Sequence, residues 1–133
     1  MATSENSNLA IQNILSKFET GDASIFNHFA DDIDFRIEHY HDDTDTSWQV
    51  AESIEQLGAL MGRLGGEVFP KGTKVLRCDT TELGDGWCMT RFEQRFFYAV
   101  RQNLVESLTY IISHEVDGKL DYFRETVTTV TDI

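Results

Sequence analysis

Apolar residues in the first half of the chain recur at helical spacing. One amphipathic helix is predicted from four positions that share a helical face: Ile11, Ile14, Leu15 and Phe18. Gly21 would end this helix, and Asp22 could cap a second, short one. A third helix, ended by Gly65-Gly66, is predicted from the same spacing at Val50, Ile54, Leu57, Met61 and Leu64.

Elsewhere apolar and polar residues alternate, as they do in strands with one buried face. Ile33, Phe35 and Ile37 predict a first strand. Longer runs predict four more at 73–83, 87–100, 104–116 and 119–130, and Asp117-Gly118 is a strong signal for a tight hairpin turn. Helices followed by a long meander are typical of an α+β domain, so we expect three N-terminal helices packed on a strongly curved antiparallel sheet.

The turns set a predicted pairing for the last strands. A two-residue turn at Asp117-Gly118 places Tyr110 opposite Glu125, and a three-residue loop at 101–103 places Gln94 opposite Tyr110. The face beneath the helices would then carry Phe92, Phe96, Tyr98, Val100, Leu104, Leu108, Ile112, Phe123 and Val127. Because a buried carboxylate costs several kcal/mol unless it is paired, hydrogen-bonded or protonated, Glu125 on this face indicates a cavity for water or ligand.

The opposite face of the predicted sheet is mostly polar. It would carry Arg91, Glu93, Arg95, Ser107, Thr109, Ser113, Tyr122 and Arg124. Four apolar residues would interrupt it: Trp87, Phe97, Val105 and Ile111. Exposed apolar patches commonly mark contacts between proteins, so this outer sheet face is the predicted interface of a homodimer.

The amino-acid composition limits the kinds of molecule that the protein is expected to bind. Nine phenylalanines indicate an aromatic core, and the formal net charge of −12 argues against binding nucleic acid or an anionic membrane surface. Cys78 and Cys88 do not form a disulfide framework and are interpreted as free thiols in a reducing compartment. With no apolar leader at residues 1–8, we expect a cytoplasmic protein with a loose tail at 1–7 and a single domain at 8–133.

Two segments resemble those of a known superfamily. The run from Lys17 through Gly21-Asp22 to Asp31-Asp32 and Phe35 resembles the opening of nuclear transport factor two-like, or SnoaL-like, domains. The closing hairpin from Asp117-Gly118 to Arg124-Glu125 resembles theirs as well. The resemblance implies a cystatin-like, cone-shaped barrel with a deep pocket, often dimeric, and relatives that include ketosteroid isomerase alongside non-catalytic binding modules.

The resemblance carries over only in part to catalytic residues. Where ketosteroid isomerase uses an aspartate base on its first strand, the matching position falls near Ile37, with His39 next on the same face. The position of its acid donor falls near Tyr110. A steroid isomerase is therefore not predicted.

Two functions stay open. The first is cofactor-free isomerase or lyase chemistry on a small apolar carbonyl compound, with Glu125 or His39 as base and Tyr110 as electrophile. The second is a non-catalytic module for ligand binding or dimerisation. Ligand contacts are predicted from Gln94, Phe92, Phe96, Tyr98, Ile37, Trp48, Ile112 and Phe123.

Three other clusters favour structural interpretations. His39, His41 and Asp42 have spacing that could suit a metal, but no third convincing ligand follows, and no metal or cofactor is predicted. His114 and Asp121 would form a cross-strand pair near the sheet end, with a catalytic base as the alternative. Arg91 would face Asp79, and Glu93 would face Arg77, in a charge ladder on the outer face.

Overall fold

A computed structural model describes residues 9–39, 50–64, 66, 71–98 and 102–133, without the side chains of Glu38 and His39. The predicted tail at 1–7, the third-helix stop at Gly65, Trp48 and the candidate metal ligands His41 and Asp42 lie outside the described residues. The described helices are α1 (Ala10–Thr20), a 3-10 helix (Ala23–His28) and α2 (Ile54–Arg63). The strands are β1 (Phe29–His39), β2 (Val50–Ala51), β3 (Thr73–Gly84), β4 (Trp87–Tyr98), β5 (Asn103–Val116) and β6 (Lys119–Asp132).

The first helix ends, and the second begins, where the sequence predicts. Gly21 adopts a left-handed conformation (φ 69°) and ends α1, which places Asp22 N–H 3.0 Å from Lys17 O. Asp22 Oδ1 then accepts from Ser24 N–H at 2.9 Å and caps the 3-10 helix. The 3-10 helix is followed directly by Phe29, the first residue of β1.

The third predicted helix is shorter than its apolar spacing suggests. Ser53 caps α2 by accepting from Gln56 N–H at 3.2 Å, and Gln56 Oε1 accepts from Glu52 N–H at 2.9 Å. Val50 lies before this cap, in the short strand β2, where it pairs with Arg36. The prediction that Val50 belongs to the helix is therefore wrong.

Polar contacts with strands β3 and β5 hold α1 over the covered face of the sheet. Glu115 Oε1 on β5 accepts from Ala10 N–H at 2.9 Å, where the helix begins. The Gln12 amide donates to Thr80 on β3, and Glu19 Oε2 accepts from Val75 N–H at 2.7 Å. The helix is thus attached at its start, middle and end, which fixes the roof of the interior.

The sheet has six strands in the order β2-β1-β6-β5-β4-β3. The pairs between neighbouring strands are antiparallel as predicted, except that β1 runs parallel to β6, so the sheet is mixed. The described parts form a curved α+β fold. Its core of isoleucine, leucine and phenylalanine side chains lies between the helices and one sheet face.

The predicted register of β4 against β5 is wrong by an odd number of residues. Gln94 pairs with Ser107 and Phe96 with Val105, whereas Tyr110 pairs with Arg91. An odd slip turns a strand over, because successive side chains point to opposite faces. The covered face of β5 therefore carries Val105, Ser107, Thr109, Ile111 and Ser113, all buried, and not Leu104, Leu108 and Ile112 as predicted.

Two bulges in β6 change its pairing with β5. Val116 pairs with Lys119 as predicted, but an extra residue at Asp121 shifts the register by one, so Glu125 pairs with Ile111. A second extra residue lies at Thr128, whose hydroxyl donates to Leu108 O at 2.9 Å. The predicted pair of Tyr110 with Glu125 is therefore wrong, since Tyr110 pairs with Thr126.

The outer sheet face carries several exposed apolar side chains: Leu76, Leu83, Trp87, Met89 and Leu104. Val105 and Ile111, predicted there, are fully buried in the core. A homodimer through this face stays a prediction. The described α-helices, of 11 and 10 residues, include none with the length and apolar character of a membrane span.

Candidate functional site

A cavity of about 70 Å³ lies between the helices and the covered face of the sheet. Its walls come from α1, α2, β1, β4, β5 and β6. Seven residues predicted for the site line it: Glu125, Gln94, Phe92, Phe96, Tyr98, Ile37 and Phe123. The structure therefore brings together most of the predicted pocket, although its roles in binding or catalysis stay predictions.

Four other predicted site residues are not among the described walls of the cavity. Tyr110 and Ile112 lie on the opposite face of the sheet, because β5 is turned over relative to the predicted register. Their predicted places in the pocket are wrong. The side chain of His39 and the whole of Trp48 lie outside the described residues.

Glu125 is surrounded by apolar neighbours on all four sides of its strand position. Ile37 pairs with it from β1 and Ile111 from β5, while Phe123 and Val127 flank it along β6. This desolvation raises the pKa of Glu125 to about 7, and a hydrogen bond with Thr109 acts weakly in the opposite direction. The carboxyl group lines the cavity and can therefore exchange a proton near neutral pH.

Thr109 has limited capacity to stabilise the ionised carboxylate. Its Oγ1 lies 3.1 Å from Phe92 O, and a carbonyl oxygen can only accept a hydrogen bond. The single hydroxyl proton of Thr109 can be donated either to Phe92 O or to Glu125, but not fully to both. Desolvation consequently dominates the pKa of Glu125.

Two more polar groups line the cavity on neighbouring strands. Gln94 Oε1 accepts from Thr73 Oγ1 at 2.7 Å, which leaves the Gln94 amide N–H groups as donors. Ser107, directly opposite Gln94 on β5, is only 5% exposed, and its Oγ has no hydrogen-bond partner within the described chain. Because a buried hydroxyl without a partner is costly, Ser107 Oγ is available to hydrogen-bond with a water or a ligand in the cavity.

Ser107 was missed because the sequence places it on the outer face. The available signal was the run of small residues at alternate positions of β5, namely Ser107, Thr109 and Ser113. Small side chains suit the inner face of a curved sheet, where bulky ones would close a cavity. The larger apolar residues at the other alternate positions, Leu104, Leu108 and Ile112, favoured the opposite face.

Metal ligands do not gather at this site. Across the described segments, no three histidine, cysteine, aspartate or glutamate side chains lie close enough to hold a metal ion. Both cysteines are free thiols, and burial raises the pKa of the Cys78 thiol to about 11, so this thiol is unreactive near neutral pH.

The charge ladder lies on the outer face with the predicted register. Arg91 pairs with Asp79, and Glu93 pairs with Arg77. Arg91 Nε lies 3.0 Å from Glu93 Oε2, and Arg77 Nη1 lies 3.9 Å from the same oxygen. These partly exposed pairs contribute little individually and are remote from the cavity.

His114 lies at the end of the sheet near the β3–β4 turn, away from the cavity. Its Nδ1 lies 2.7 Å from Asp121 Oδ1, and its Nε2 lies 3.0 Å from Asp85 O. Both partners are acceptors once Asp121 is ionised, so the arrangement is satisfied fully only by the doubly protonated imidazolium. The predicted contact with Asp121 is confirmed, although Asp121 lies in the bulge and His114 pairs with Tyr122 in the sheet.

This geometry predicts a pH-dependent contribution to stability. The hydrogen bond to Asp121 is the main cause that raises the pKa of His114 above 6.5. A raised folded-state pKa means that the stabilisation is complete below the unfolded value and is lost as pH rises through the folded value. An NMR titration should show the His114 pKa above normal in the wild type and lower in Asp121→Asn. Equal pKa values in the two proteins would contradict the assignment.

Comparison with known proteins identifies the fold. No protein-family model and no curated protein matches the sequence. An NTF2-like protein from Burkholderia xenovorans is 13% identical, with a TM-score of 0.69 over 90% of this chain and 87% of that one. A protein of unknown function with a cystatin-like fold from Xanthomonas campestris is 16% identical, with a TM-score of 0.70 over 91% and 92%.

A SnoaL-like protein from Mesorhizobium loti is also similar, with 14% identity and a TM-score of 0.59 over 94% of this chain and 98% of that one. The predicted fold is therefore confirmed: the chain has the cystatin-like fold of NTF2-like and SnoaL-like domains. At these identities the likeness concerns the fold alone.

Proposed function

We propose that the chain binds a small, mostly apolar carbonyl compound in the cavity and that Glu125 moves a proton on it. The observation that carries this proposal is a carboxyl group with a pKa of about 7, held between two isoleucines at the cavity wall. Such a group is partly ionised at neutral pH and therefore serves as a base and then as an acid.

Two polar groups that line the same cavity as Glu125 would stabilise the charge that develops. Ionised Glu125 takes a proton from the carbon next to the carbonyl, and the electron pair moves to the carbonyl oxygen. Ser107 Oγ–H and the Gln94 amide N–H are the donors placed to stabilise that enolate oxygen. Where the substrate carries a double bond between its β and γ carbons, the enolate is conjugated with it. Return of the proton from Glu125 to the γ carbon then moves the double bond next to the carbonyl, which completes an isomerisation and regenerates the carboxylate. These two residues take the electrophilic role first expected of Tyr110.

A non-catalytic binding module is the second candidate. The observation in its favour is the size of the cavity, about 70 Å³, which phenylalanine side chains restrict. Pockets for small molecules typically measure about 300–1,000 Å³. A module of this kind would hold a ligand without proton transfer to Glu125.

Hydrogen–deuterium exchange on a simple ketone separates the two candidates. With cyclohexanone in D₂O, we expect the wild type to accelerate exchange of the protons next to the carbonyl, with a rate that rises as Glu125 ionises near pH 7. Glu125→Gln should abolish the acceleration. Ser107→Ala should lower it by about 10²–10³-fold, as expected for one lost oxyanion donor.

Binding must be measured in the same samples. Chemical-shift changes at cavity residues without exchange would favour the binding module over the enzyme. If cyclohexanone neither binds nor exchanges, the proposed carbonyl site is wrong. Glu82→Gln, an exposed carboxyl on β3, is the matched control and should exchange at the wild-type rate.

A further inference from the structure

A second, larger concavity lies next to the cavity. This groove, of about 520 Å³, runs between the end of α1, the 3-10 helix, α2 and the start of β3. Residues 17–23 form one wall, Gly58 and Gly62 of α2 form another, and Ile25 and Phe26 supply an apolar floor.

The groove and the cavity share two wall residues. Phe18 of α1 and Met61 of α2 line both spaces, so their side chains form the partition between them. Both side chains are only half-buried. Methionine has an unbranched, adaptable side chain, and a half-buried phenylalanine can change rotamer, so this partition can open without moving the backbone.

We infer that the cavity and the groove are two halves of one binding site, gated by Phe18 and Met61, and that its ligand is an elongated, uncharged carbonyl compound. The inference rests on the proposed function for the position of the carbonyl group. The cavity alone falls below the usual size of a small-molecule pocket, whereas the groove falls within that range. The carbonyl end would lie against Ser107 and Glu125. The apolar remainder would extend between Phe18 and Met61 into the groove.

The charges at the groove already have partners within the protein. Lys17 Nζ lies 2.8 Å from Ser24 Oγ and 3.4 Å from Asp22 Oδ2. Glu19 Oε2 accepts from Val75 N–H at 2.7 Å. A charged ligand would have to displace these contacts, so the groove favours an uncharged, apolar extension.

Gly58 offers a direct way to close the groove. A Cβ atom placed there meets no heavy atom within 4 Å, so a larger side chain would project into open space. Leucine is also a better helix former than glycine, so Gly58→Leu should fold well. Ala59, the exposed next residue of α2, lies outside the groove and gives the matched control Ala59→Leu.

The test compares cyclohexanone with 4-pentylcyclohexanone by NMR titration and thermal melting. Each buried methylene strengthens binding by roughly fourfold, so the wild type should bind the pentyl ketone at least about tenfold more tightly than cyclohexanone. Gly58→Leu should lose that gain of the pentyl ketone over cyclohexanone, whereas Ala59→Leu should behave as the wild type. Phe18→Ala, which removes the partition, should enlarge the gain.

The outcomes separate this inference from the proposed function. If cyclohexanone binds at the cavity but the pentyl chain gives no gain, or if Gly58→Leu keeps the full gain, the two-part site is wrong and the proposed function stands. If neither ketone binds the wild type, both are wrong. Gly62→Leu, at a second glycine of the groove with open space around its Cβ, repeats the test if Gly58→Leu melts early.

Discussion

Glu125→Gln is expected to stabilise the folded protein by up to about 3 kcal/mol above neutral pH. Burial raises the pKa of Glu125 from 4.5 to about 7, and each pKa unit corresponds to ~1.4 kcal/mol of free energy between the protonation states. At high pH the wild type must hold an ionised carboxylate between Ile37 and Ile111. Glutamine has nearly the same shape and carries no charge, so the variant avoids this cost.

The sign of the pH dependence follows from proton binding. Between pH 4.5 and about 7 folded Glu125 keeps a proton that the unfolded chain has released. The free energy of unfolding of the wild type therefore falls as pH rises through this window, and the penalty is constant above it. The two proteins should have nearly equal stability at about pH 4 and differ most above about pH 7.5. His114 titrates in both proteins, so its contribution cancels in the difference.

Urea unfolding at several pH values measures this difference directly. Glu82→Gln removes an exposed carboxyl from β3 and should change stability by less than about 0.5 kcal/mol at every pH. A constant difference between Glu125→Gln and the wild type across the range would show that the carboxyl is solvated. The same variant is expected to lose proton exchange on cyclohexanone, so it would gain stability and lose function together, as expected where function requires a destabilised site.

Local signals in the sequence predicted much of the fold. Gly21 ends α1 and Asp22 caps the 3-10 helix, as predicted. Ile33, Phe35 and Ile37 are buried on β1, as their alternation with polar residues predicts. The predicted pairing of Arg91 with Asp79 across the β3–β4 hairpin is also present. In each case the information lies within a few residues of the feature that it determines.

Strand phase in β5 could not be obtained in this way. Hydrophobicity favours burial of the face of β5 that carries Leu104, Leu108 and Ile112. The face that is buried instead carries Ser107 and Thr109. The inner face of the curved sheet has to leave space for a cavity, and small polar residues provide it. Whole-chain geometry therefore outweighs local hydrophobicity at the site itself, as is common where residues serve function.

Glu125 reaches the cavity although its predicted partner was wrong. The phase of β6 follows its bulky residues, Phe123 and Val127, which are buried, and Glu125 shares their face. Its partner across the sheet depends on the bulge at Asp121, and no residue type in the hairpin predicts that bulge. The position of the carboxyl was therefore accessible from the sequence, whereas its surroundings were not.

Ile111→Ala is expected to destabilise the protein by about 3–4 kcal/mol, within the usual range for a buried isoleucine. Ile111 is 0% exposed and packs in the core beside Glu125. The matched control is the adjacent Ile112→Ala, on the outer face, which should cost less than about 1 kcal/mol because the side chain is only half-buried. The two variants make the same chemical change, so the difference between them reports the side of the sheet that each residue faces.

Urea unfolding of both variants thus tests the strand phase on which the site depends. The two substitutions remove the same atoms from neighbouring residues of one strand. A larger loss at Ile112 than at Ile111 would mean that β5 is turned over. Tyr110 would then face the cavity, Ser107 would leave it, and the donor assigned to the enolate oxygen would be wrong. The expected order places Ser107 beside Gln94 and supports that assignment.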